Sequence, residues 1–287
     1  VRVLLACGAR ASLPTPIKSR LGVAGNAVLT EAARRFPELL PALVASAPLH
    51  PAEATSALAH AAREAEPKSL ACLLEAGVEP VRSSNGRTVL LDLIQGHFDR
   101  CRAAGLASAA SDPKAAAVLA SVDLLLDAGL RADAHGVADD YGLYPLTLAG
   151  RSRWPELVER LLPTSAAIWT DRRAQHEPLY TVLSAAPPDR LDAWLDAAVA
   201  QGARLDATDT RHETVLHQAM KAGNIPVTLA LLARGADPDA PGRIAPPSRL
   251  ATPEVNAAVI AWRAARELDA GLVPVAAPQS RRSAPRL

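Results

Sequence analysis

Apolar residues recur in short blocks along this chain, and the blocks keep a fixed spacing. Val215-Leu216 and Ala219 open one block, and Leu229, Leu231 and Leu232 close the next. Between them Gly223-Asn224 breaks the pattern, and Gly235-Ala236-Asp237-Pro238-Asp239 turns the chain back. This is the pattern of two short amphipathic helices joined by a tight turn. Thr214 suits the cap before the first helix, where its hydroxyl accepts an orphan N–H. Pro226 suits the first turn of the second, where the missing N–H costs nothing. Gly235 suits the position just past the helix end, which requires left-handed backbone.

The interval from Leu216 to Gly235 is 19 residues, and it recurs from Leu58 to Gly77, from Leu146 to Ser165 and from Leu29 to Pro48. Leu-Leu pairs stand before these turns at Leu4-Leu5, Leu73-Leu74, Leu125-Leu126 and Leu161-Leu162. Gly202 to Gly235 and Leu146 to Leu179 are each 33 residues. A fixed period with fixed residue types at fixed phases predicts a stacked array of helical units, each too small to bury its own apolar face. Two units depart in length. Leu179 to Gly202 is 23 residues, with the surplus placed at Pro187-Pro188, and Leu90 to Gly129 is 39. The second excess predicts an insertion at about 95–113, between the helices of one unit, with the Ala- and Ser-rich run from Ala103 to Ser111 forming a helix extension and loop.

The period and the Thr214-Val215-Leu216-His217-Gln218-Ala219 run resemble the ankyrin repeat, whose signature is T-P-L-H-x-A over about 33 residues. The resemblance is closest over 214–240 and good over 56–80 and 144–166. Tyr144-Pro145-Leu146-Thr147 and Glu177-Pro178-Leu179-Tyr180 keep the Pro-Leu core but lose the Thr and the His. It implies an all-α solenoid of helix-turn-helix units with inter-repeat fingers, about six recognisable units over 1–270 with degenerate ends, and a disordered tail over 271–287. Pro253 to Leu268 reads as a closing helix, with Trp262 packing as a cap. Val1 to Arg10 matches a second helix and its glycine turn with no first helix before it. Either sequence upstream of Val1 is missing or Val1 is the start; in both cases the first unit exposes a face that a preceding element would cover.

Composition adds little to this. The chain has 287 residues, 3% aromatics and a net charge of +1. So few aromatics argue against a sheet protein, and the charge balance offers no electrostatic footprint for nucleic acid. Abundant Ala, Arg and Pro suggest a GC-rich, bacterial coding sequence. No apolar run reaches the length of a membrane span. Cys7, Cys72 and Cys101 are an odd set without metal spacing, read as buried thiols in a reducing compartment. A cytoplasmic protein, or one delivered as an effector, is expected.

Candidate chemistry is sparse. His97 and Cys101 share a helix face four residues apart, a metal-compatible spacing, but no neighbouring pair in sequence completes a ligand set. His217 sits at the signature histidine and is expected to tie the turn to backbone. His135 with Asp139 and Asp140, and His176 with Asp171, are acid–histidine pairs in turns with no nucleophile beside them. No phosphate-binding loop or nucleophile elbow is present. The expected catalytic, cofactor and metal sets are therefore empty, and the protein is expected to be non-enzymatic and monomeric. The resemblance implies a protein partner docked on the concave face of fingers and first helices, using segments 79–87, 131–143, 167–176 and 204–213. Interface energy concentrates in aromatic and Arg residues, which selects Tyr141, Trp169, Arg172, Arg173, Arg211 and His212. Asp139-Asp140 with Arg172-Arg173 gives that face both signs of charge. The alternative is a regulatory or targeting part of a larger enzyme cut at Val1.

Overall fold

The computed structural model describes residues 28–46, 48–80, 88–106, 109–133, 144–170, 178–209, 211–242 and 245–271. Fourteen α-helices lie there, in seven consecutive pairs. They are α1 (Val28–Arg35) with α2 (Leu40–Ser46), α3 (Pro51–Arg63) with α4 (Pro67–Glu75), and α5 (Val89–Ala103) with α6 (Ala115–Asp127). Then come α7 (Pro145–Arg151) with α8 (Pro155–Leu161), α9 (Pro178–Leu183) with α10 (Leu191–Ala200), α11 (Val215–Lys221) with α12 (Ile225–Ala233), and α13 (Pro247–Leu250) with α14 (Pro253–Gly271). Among the described residues there are no strands, only one isolated antiparallel bridge, Thr208 to Thr214.

The first helices of successive pairs pack in one row, α1 on α3, α3 on α5, and so on to α13. The second helices form another row, α2 on α4 through to α14, with the link between α8 and α10 running through the 3-10 turn Leu162–Thr164. One continuous apolar cluster runs between the rows, from Leu29 through Leu58, Leu90, Leu146, Leu179 and Leu216 to Val255. This is the predicted solenoid. No pair closes a core alone, and each buries its apolar face against the next.

Small residues set the helix spacing. A Cβ on Gly96 of α5 would stand 2.5 Å from the Arg63 carbonyl oxygen of α3, and one on Gly150 of α7 would stand 2.9 Å from the Thr181 carbonyl oxygen of α9. Ala219 of α11 is fully buried in the same row. The turn chemistry also follows the sequence. Thr214 Oγ1 accepts from His217 N–H, and Asn224 Oδ1 accepts from Val227 N–H at the start of α12. After α12, Gly235 has φ +86°; its N–H donates to the Leu232 carbonyl and Ala236 N–H to the Leu231 carbonyl. Ser165, at the phase of Gly235, behaves differently. Its φ is −116°, the helix winds down through Leu162–Thr164, and the Ser165 hydroxyl donates to the Leu161 carbonyl at 2.7 Å.

The surplus before Gly129 falls inside the third pair. Helix α5 runs 15 residues to Ala103, a 3-10 turn follows at Ala109–Ser111, and α6 begins at Ala115. The closing helix α14 buries Val255 and Val259, half-buries Trp262 against the array and leaves Ala265 exposed. No helix among the described residues is long and apolar enough to cross a membrane. Residues 1–27 and 272–287, which hold the expected incomplete first unit and the tail, lie outside the described residues.

Candidate functional site

The finger before α11 is described except for residue 210. The Thr208–Thr214 bridge closes it. At its tip Asp209 N–H donates to the Glu213 carbonyl at 3.0 Å, and Asp209 Oδ1 accepts from the N–H groups of Arg211 at 2.8 Å and Glu213 at 2.9 Å. His212 takes φ +58°, and its N–H donates to the Asp209 carbonyl. An Asp at this position organises a tight turn by capturing backbone donors ahead of it. The side chains of Arg211 and His212 are left exposed. At the base, Glu213 is buried and Lys221 reaches its carboxylate at 3.4 Å.

The other predicted contact residues are placed differently. Trp169 lies in the 3-10 turn Ala166–Thr170, half-buried against the core, with its indole Nε1 buried and unpartnered among the described residues. The turn that carries it folds onto the array beside buried Ile168. The anchor is Asp133, which accepts from Arg131 Nε at 2.8 Å and Nη2 at 3.0 Å and from the Ala167 N–H at 3.0 Å. Burial pulls the Asp133 pKa upward, but these donors outweigh it and hold the carboxyl below its ordinary value. Tyr141, Arg172 and Arg173 lie outside the described residues, as do His135, Asp139, Asp140, Asp171 and His176.

His217 is fully buried. Its Nδ1 accepts from Thr214 N–H at 3.0 Å and pairs with Thr214 Oγ1 at 2.8 Å. Burial pushes its pKa down, so the ring stays neutral. The expected structural tie is therefore what the ring makes. In the fourth pair Thr147 Oγ1 accepts from Tyr144 N–H at 3.0 Å, the same bond at the same phase. A hydroxyl there replaces an imidazole.

The third pair holds a cluster that sequence spacing alone leaves incomplete. His97 and Cys101, one turn apart on α5, meet Asp112 from the inserted segment, with donor atoms of all three within 4.8 Å of one another. His97 Nδ1 lies 2.9 Å from Asp112 Oδ2. Cys101 Sγ is 3.5 Å from His97 Nε2 and 3.8 Å from Nδ1, so it stands over the ring face instead of on a lone pair. Trp154 of the next pair packs on the imidazole with ring centroids 4.7 Å apart. Arg100 Nε approaches Asp112 Oδ2 at 3.7 Å, while its Nη1 donates to the Arg63 carbonyl. Sequence spacing offers no pair that completes a set around His97 and Cys101; the fold adds one further donor, Asp112. The third member lies 15 residues beyond His97, and only the insertion's return path brings it back.

Burial keeps this cluster in defined protonation states. Desolvation lowers the His97 pKa despite Asp112 beside it, and raises that of the Cys101 thiol. For Asp112, burial pulls upward, but the Lys114 N–H, His97 and Arg100 outweigh it and hold the carboxyl below its ordinary range. A neutral imidazole, a thiol and a carboxylate result at neutral pH. An open cavity of about 280 Å3 borders Cys101, lined also by Phe98, Arg102, Leu106, Arg151 and Arg153. Cys72, also expected buried, is half-exposed on α4.

No protein-family model matches the chain, and no curated protein matches it in sequence. Solved structures do match in shape. The ankyrin repeat domain of human ASB11 aligns with a TM-score of 0.53 at 22% identity, covering 82% of this chain and 96% of that domain. A chain in the structure of the Bdellovibrio bacteriovorus predatory endopeptidase Bd0816 in complex with immunity protein Bd3460 aligns with a TM-score of 0.50 at 20% identity, covering 72% of this chain and 97% of that one. The protein has the ankyrin-repeat fold.

Proposed function

We propose that this protein is a non-enzymatic interaction module that binds a partner protein through the concave face formed by its fingers and first helices. The observation that carries the reading is the finger at 204–214. Its shape is held by backbone bonds, the Thr208–Thr214 bridge and Asp209, so Arg211 and His212 stand exposed without a structural task. Residues presented in this way on a rigid scaffold suit recognition. The ankyrin-repeat fold supports it, since stacked repeats create extended surfaces suited to binding. Tyr141, Arg172 and Arg173 are proposed contacts on neighbouring fingers. Trp169 contributes by holding its finger against the core. The test compares affinity capture by the wild type with capture by Arg172→Ala/Arg173→Ala/Arg211→Ala, followed by titration of the captured protein. The reading expects at least tenfold weaker binding, the loss of about 1.4 kcal/mol, with the melting temperature nearly unchanged. Equal affinity of the two forms, or loss of fold in the variant, contradicts it.

A further inference from the structure

The insertion in the third pair brings one carboxylate, the part-buried Asp112, to the buried imidazole of His97 and the buried thiol of Cys101. We propose that His97 Nδ1, Cys101 Sγ and an Asp112 carboxylate oxygen form a binding site for a borderline-soft divalent cation of the zinc class, with a fourth position open to the neighbouring cavity.

The donor set selects the ion. A thiolate with an imidazole favours zinc over magnesium or calcium, which take oxygen ligands. The charges also balance, since a thiolate and a carboxylate neutralise a divalent cation without leaving net charge in a buried place. Two of the three donor separations are near those required. Zinc bonds of about 2.0 Å to N or O and about 2.3 Å to S put tetrahedral donors roughly 3.2–3.6 Å apart. His97 Nδ1 and Asp112 Oδ2 are 2.9 Å apart, joined by one hydrogen bond, and Cys101 Sγ is 3.8 Å from Nδ1. A cation between Nδ1 and the carboxylate takes the place of that hydrogen, and the imidazole proton moves to Nε2. Because Sγ stands over the ring face, binding also turns the Cys101 side chain about its Cα–Cβ bond toward the ring plane. The thiol gives up its proton as the S–metal bond forms, so one proton leaves per ion bound.

The surroundings fit an ion held in place. Trp154 supports the imidazole from the next pair. Arg100 remains anchored to the Arg63 carbonyl when Asp112 turns to the metal. Cys101 lines the cavity, which leaves room for a water as fourth ligand. The ion would clamp the inserted segment, through Asp112, onto the α5 face that carries His97 and Cys101. The proposal does not rest on the partner-binding reading.

The experiment uses the full chain, free of affinity tags and stripped by chelator, in a Cys7→Ser/Cys72→Ser background so that Cys101 is the sole thiol. Cobalt(II) alone is titrated first, then displaced by zinc(II). The expected result is one equivalent of cobalt with tetrahedral visible bands and a near-ultraviolet thiolate-to-cobalt charge-transfer band. Zinc should displace it, release one proton per ion in weak buffer and raise the melting temperature. Cys101→Ser should abolish the charge-transfer band, and Asp112→Asn should weaken zinc by at least about tenfold; circular dichroism confirms that each variant is folded. Absence of the band in the folded parent, or an unchanged band in Cys101→Ser, overturns the proposal. If Asp112→Asn fails to fold, the Cys101→Ser comparison decides alone.

Discussion

Single residues at repeated phases decide how closely and in what direction the helices meet. Ala65 and Arg153 take φ +54° and +50° in the turn that Gly223 makes with φ +73° in its own pair. Left-handed backbone costs a side-chain-bearing residue about 1–2 kcal/mol, whereas glycine adopts it freely. Arg153→Gly is therefore expected to stabilise the protein by up to about 1 kcal/mol, read as a higher urea midpoint. Gly150→Ala acts in the opposite sense, because the new Cβ meets the Thr181 carbonyl at 2.9 Å; a loss of about 1–3 kcal/mol is expected. Acid should also unfold the protein. His97 has a lowered folded pKa, so the unfolded state binds its proton more readily, and stability falls as pH drops through the unfolded histidine value near 6.5. Asp112 and Asp133, held low when folded, add losses as pH drops through the ordinary carboxylate range and then through their folded values. Urea midpoints at pH 7.5, 5.5 and 4 should decline in that order, and His97→Gln should reduce the first step, with His217, also held low by burial, supplying the rest. At this scale the Thr214 cap, the His217 tie and Gly235 were legible from residue type. The substitution of Thr147 for His217 was not, because two unlike side chains satisfy one backbone N–H.

Elements follow the same rule of local legibility. Leucine spacing, prolines at helix starts and glycines past helix ends place most pairs, since the determinants lie within a few residues of the effect. Where a connection lengthens, the sequence carries less. The insertion before α6 was visible as a count, but its return onto α5 depends on Asp112 meeting His97 across 15 residues, and no short spacing encodes that. Trp169 illustrates the same limit. An aromatic in a finger segment reads as exposed until the Asp133 anchor to Ala167 N–H is known to fold the turn inward. Trp169→Ala should accordingly lower stability by about 2–4 kcal/mol, toward the lower side of buried aromatic truncations because the ring is only half-buried. Thermal or urea melts check this; an unchanged midpoint would place the indole outside the packed array.

At the scale of the whole molecule, the second-helix row carries charge between pairs. Arg160 meets Asp123 at 2.8 Å, Arg190 meets Glu159 at 2.7 Å, and Arg234 meets both Asp192 at 2.7 Å and Asp196 at 2.6 Å. Each link joins one pair to the one before it. These groups are partly or well exposed, so each contributes roughly 0–1 kcal/mol and is screened by salt. The array is held mainly by the apolar cluster, with the ion pairs as minor ties. The repeat period makes this architecture legible in the amino-acid sequence, whereas the proposed partner face is legible there only as a set of segments. Finger residues carry no periodic constraint that would mark them. In such an array order passes from each pair to its neighbours. Native-state hydrogen exchange on Leu146→Ala is the sharpest probe of that transmission, since this fully buried leucine sits mid-array and its truncation should cost about 2–5 kcal/mol. A stack of nearest-neighbour interfaces predicts the greatest loss of protection in α7 and α8, less in the adjoining pairs, and little in α3 or α12. Equal loss of protection in every helix, as in one shared core, would refute nearest-neighbour stacking.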